Sequence, residues 1–122
     1  MTREFYGATI QAQRAINGLL NLPASGREQD WEIELADPDR VEEMLEAAVD
    51  SNLDYDERCA LALLTIASIE ELFELGEVSP AIVEQARSTI RQYHDVHEAM
   101  VFYWIEQRQA SNEENVREVL FG

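Results

Sequence analysis

"YDERCALALLTIASIEELFEL", residues 55–75, decides the fold. Cys59, Leu61, Leu63, Leu64, Ile66, Ala67 and Ile69 lie so densely along it that a helix through this stretch is apolar almost all round. Such a helix is stable in water only when other helices surround it. The boundaries are marked as well. Asp54 with Glu57 three residues later has the spacing of a capping box, and Gly76 suits the left-handed residue that ends a helix. The stretch is therefore the central element of an all-α domain.

The neighbouring segments supply the covering layer. On the C-terminal side, Ser79 and Pro80 start a helix whose pattern runs without Pro or Gly to about Gln109, a length that predicts either a bend or projection beyond the bundle. Ile82, Ala86, Ile90, Tyr93, His97, Met100 and Trp104 fall on one stripe of it. On the N-terminal side, "ADPDRVEEMLEAAVDSN" opens with Asp37 as N-cap and Pro38 at the first helical position, then carries Val41, Met44, Leu45, Ala48 and Val49 on one face. A further amphipathic helix covers residues 4–21 and stops at "LPASGREQ". Ser111 and Glu114 begin a short terminal helix that docks Leu120 and Phe121.

"DWEIEL", residues 30–35, reads differently. Trp31, Ile33 and Leu35 alternate with Asp30, Glu32 and Glu34, and period two predicts a short extended segment, lying over the helices or offering its edge to another chain. The predicted architecture is a single all-α domain over residues 1–122: a compact bundle of four main helices, an extended segment at about 30–35, and a short C-terminal helix.

Charge is the dominant compositional signal. Twenty-five acidic residues oppose nine basic ones, all arginine, for a net charge of -16. Direct binding to nucleic-acid phosphates or an anionic membrane is disfavoured by a field of that sign. Between Glu28 and Glu57 lie thirteen acids and one basic residue, Arg40. No stretch approaches the length of a membrane-spanning run, no leader pattern opens the chain, and the single cysteine, Cys59, sits in a buried-helix setting, so the expectation is a soluble cytoplasmic protein.

Candidate chemistry centres on "RQYHDVHEAMVFYWIEQ", residues 91–107. His94 and His97 are one turn apart and flanked by Glu98, which makes a helical metal site the alternative reading, with Glu70, Glu71 or Glu74 of the central helix as further ligands. The helical zinc pattern His-Glu-x-x-His and the paired Glu-x-x-His motifs of di-metal bundles are absent, so neither a metal nor any other cofactor is expected. No glycine-rich phosphate loop or nucleophile arrangement is present, and catalysis is not expected. The aromatic crowd after the histidines matters more. Phe102, Tyr103 and Trp104 cover more of the helix than one bundle-facing stripe needs. They read either as docked by the C-terminal segment or as a partner contact.

These features favour a small acidic binding protein that occludes a basic protein partner, as an immunity protein or antitoxin occludes a nuclease or other toxin. The expected contact residues are Asp30, Trp31, Glu32, Glu34, Asp39, Glu42, Glu43, Glu46 and Asp50, with Phe102, Tyr103 and Trp104. The competing readings are a structural or regulatory homodimer, a nucleic-acid mimic, and a helical metalloprotein built on His94 and His97.

Overall fold

The computed structural model describes residues 5–49 and 52–103. They form helices α1 (Ile10–Leu20), α2 (Trp31–Glu34), α3 (Val41–Ala48), α4 (Tyr55–Leu75), α5 (Pro80–Gln92) and α6 (His94–Val101), with a 3-10 turn at Pro38–Arg40 leading into α3. The all-α fold is as expected, and α4 is its centre: α1, α2, α3 and α6 all pack on it.

The all-round apolar sequence of α4 divides between two cores. Ala60, Leu61 and Leu64 face Ala12, Ile16 and Leu20 of α1 together with Trp31, Leu35 and Met44. Cys59, Leu63, Ile66 and Ile69 face Val41, Leu45, Ala86, Ile90, Val96 and Met100. Two buried hydroxyls on α4 are satisfied locally, Thr65 donating to the Leu61 carbonyl and Ser68 to that of Leu64. Ser68 Oγ also accepts from the Asp37 backbone N–H, which pins the turn before α3 against the central helix.

The capping grammar is realised. Asp54 accepts from the Glu57 N–H at 2.8 Å while Glu57 accepts from the Asp54 N–H at 2.9 Å, and Gly76 closes α4 at φ 70°. Asp37 caps the 3-10 turn through the Asp39 N–H, and Ser79 caps α5 ahead of Pro80. Helix α1 begins later than its sequence pattern suggests, because Thr9 is the residue that accepts the Ala12 N–H.

Two elements differ from expectation. Residues 31–34 are helical, not extended. The alternating pattern also places Trp31 and Leu35 four residues apart, on one side of a helical turn, and both are buried while Ile33 is 43% exposed. A lone strand leaves its backbone groups unpaired, whereas the turn satisfies them internally, with the Ile33 and Glu34 N–H groups donating to the Asp30 carbonyl. Glu34 reaches back to accept from the Asp30 N–H at 2.8 Å.

The second difference is the long helix predicted from Pro80, which breaks at Tyr93 (φ -115°, ψ 102°). The break sets the Tyr93 ring under the Arg58 guanidinium, 4.0 Å from the ring centroid. It also turns α6 so that Val96, Ala99 and Met100 are its buried face, which shifts His97 out of the seam to a half-buried position. The expected terminal helix from Ser111, with Leu120 and Phe121, lies outside the described residues.

Candidate functional site

The acidic segment is presented mainly by α3 and the turns on either side of it. Val41, Met44 and Leu45 are buried, so the 3.6-residue period points Glu42, Glu43 and Glu46 outward, and all three are exposed. Asp30, Glu34 and Asp39 are exposed as well, and Asp50 lies outside the described residues. Arg40 does not neutralise this face as a whole. Its guanidinium bonds the Leu20 carbonyl at the end of α1 and pairs with Glu43, Nε to Oε1 at 2.8 Å. That hydrogen-bonded pairing holds the Glu43 carboxyl below the usual carboxylate range. Among the described residues Asp39, Glu42 and Glu46 have no ion pair.

Two of the expected contact residues between Asp30 and Asp50 are internal. Trp31 is 1% exposed, and its indole N–H donates to Asn17 Oδ1 at 2.9 Å, tying α2 to α1. Glu32 is 8% exposed and accepts from the Tyr103 hydroxyl at 2.8 Å. Both lie on the inner side because residues 31–34 wind into a helix instead of alternating as a strand.

The aromatic run is partly covered from the opposite end of the chain. Phe102 is 9% exposed and meets the edge of Tyr6 at 5.4 Å between centroids, while Phe5 meets Tyr103 at 5.8 Å. The sequence points to the C-terminal segment or to a partner for this cover, and residues 104–122 lie outside the described residues. The distance in sequence between Phe5 and Tyr103 hides the contribution of the N-terminal residues. Trp104 lies outside the described residues.

Comparison with family models, with curated proteins and with solved structures finds no match for this chain.

The histidines do not converge on one point with further ligands. His94 is 81% exposed at its side chain and pairs with Glu98, Nε2 to Oε1 at 2.8 Å. Burial lowers the His97 pKa below its ordinary value, and the Arg91 and His94 charges act in the same direction against Glu98. Among the described residues no three His, Cys, Asp or Glu side chains are grouped to hold a metal. Glu70, Glu71 and Glu74 instead line a cleft of about 160 Å3 with Ile33, Ala36 and Ala67. Burial there, reinforced by the charges of Glu74 and Asp37, raises the Glu71 pKa.

A hollow of about 380 Å3 opens beside the α5–α6 break, lined by Tyr55, Arg58, Gln92, Tyr93, His94, Asp95 and Val96. The length of the run without Pro or Gly points to a bend, but nothing in its pattern places that bend at Tyr93.

Proposed function

We propose that this is a small acidic binding protein that engages a basic protein partner through the outer face of α3 and the turns flanking it, and acts by occlusion instead of catalysis. An immunity protein or antitoxin that covers a nuclease or other toxin is the concrete form of this reading. The observation that carries it is the use of Arg40. The only cation between Glu28 and Glu57 in the sequence is engaged with the Leu20 carbonyl and Glu43, and among the described residues the exposed Asp39, Glu42 and Glu46 have no ion pair. A surface of that kind accelerates encounter with a positively charged partner and selects its orientation.

The test is retention of a basic protein from an extract of the native host on the immobilised chain, followed by measurement of the affinity of the isolated pair. The variant is E42K/E46K, which leaves the Arg40–Glu43 pair intact. We expect the dissociation constant to rise with salt and to rise by about tenfold or more in the variant. A partner that binds wild type and variant alike overturns the reading, as does recovery of acidic partners only.

A further inference from the structure

Three departures from local rules meet at the hollow beside Tyr93. The helix breaks there although neither Pro nor Gly interrupts the run from Ala81 to Gln109. Arg58 lies just inside the N-terminal end of α4, where a cation opposes the helix dipole. Tyr93 stands at the N-cap of α6 without a side-chain cap bond to the first turn. Departures from local rules are expected at functional or strained sites, and here they converge on one cavity.

The chemistry of the lining is specific. Arg58 spends one N–H donor on the Ala48 carbonyl at 3.2 Å and lays its face on the Tyr93 ring, which fixes the guanidinium while leaving its other donors available. Tyr55, Tyr93 and Val96 supply apolar wall, and Gln92 stands exposed at the edge. Among the described residues the ionisable groups of the lining are Arg58, His94 and Asp95, with Glu98 paired to His94. A volume of about 380 Å3 lies at the small end of ligand cavities.

We infer that this hollow binds a small aromatic carboxylate, its carboxylate held by Arg58 and its ring against Tyr55 and Val96. A planar carboxylate matches the guanidinium fork. A single negative charge is favoured over a phosphate dianion because the protein carries a net charge of -16. This inference is independent of the acidic face of α3.

The experiment is an amide NMR titration of the full chain with benzoate, with benzamide and inorganic phosphate as comparison ligands. We expect saturable shifts at residues 93–96 and at the Arg58 Nε–H with benzoate, and binding about tenfold or more weaker for the other two. R58K, which keeps the charge and loses the fork, is expected to weaken benzoate binding by about tenfold. Q92W fills the hollow from an exposed position without touching Arg58, and is expected to abolish the shifts. No saturable shift, equal binding of benzamide or phosphate, or unchanged benzoate binding by Q92W overturns the inference.

Discussion

Tyr103 donates its phenolic hydrogen to Glu32 at 2.8 Å, joining residues 71 positions apart. The bond closes the end of α6 onto α2 and gives a carboxylate that is only 8% exposed a specific partner. A hydrogen bond to a charged group is worth about 1.5–3 kcal/mol, and stranding the buried acceptor costs more than replacing both members. Urea denaturation of Y103F is therefore expected to show a loss of about 1.5–3 kcal/mol, with the double variant E32L/Y103F less destabilised than the sum of its parts. Additive losses would show that the two residues do not act as a pair.

Trp31 gives a second measurable anchor. Its ring is buried between α1 and α4, and its N–H finds Asn17 Oδ1 at 2.9 Å. W31F keeps most of the apolar contact and loses the donor, which predicts a cost of about 1 kcal/mol plus the smaller ring's lost area. W31A adds a cavity, and about 3–5 kcal/mol is expected. Chemical denaturation followed by circular dichroism separates the two, and a W31A loss below that of W31F would rule out a core role.

Local and long-range contacts differ in how far the sequence conveys them. Helix signals that are local, such as the Asp54–Glu57 capping box, Gly76 and the Ser79–Pro80 start, appear at the predicted positions because a cap depends on neighbours three or four residues away. Residues 30–35 carry an ambiguous pattern, since Trp31 and Leu35 fit both period two and an i, i+4 pair, and only the absence, among the described residues, of a strand to pair with decides between them. Tyr93 at the break meets Arg58, and Phe102 meets Tyr6, across long stretches of sequence, so both contacts are tertiary and leave no periodic trace. The exposure of Glu42, Glu43 and Glu46 was legible from the stripe opposite them, whereas the engagement of Arg40 with the Leu20 carbonyl was not.

Glu71 provides a prediction with a definite sign. Burial first, then the charges of Glu74 and Asp37, raise its pKa above the ordinary 4.5. The folded protein thus holds this proton more tightly than the unfolded chain, and stability from this group falls as pH rises from 4.5 through the raised value. E71Q removes the charge. The variant is expected to melt at a higher temperature than wild type at neutral pH, with the difference shrinking as the pH falls below 4.5. A variant that melts lower at neutral pH would contradict the assignment.

His97 runs in the opposite sense. Burial is the main cause of its lowered pKa, with the Arg91 and His94 charges adding to it and Glu98 opposing. Between the lowered value and the ordinary 6.5, the unfolded chain binds the proton more strongly than the folded one. The contribution of this group is thus fully favourable above 6.5 and is lost as pH falls through the window beneath it. H97N cannot take up a proton there. Urea midpoints measured from about pH 7.5 down to about pH 5.5 are expected to fall more steeply for wild type than for H97N, because carboxylates shared by both proteins cancel in the comparison. Parallel pH profiles would remove His97 as a source of pH sensitivity.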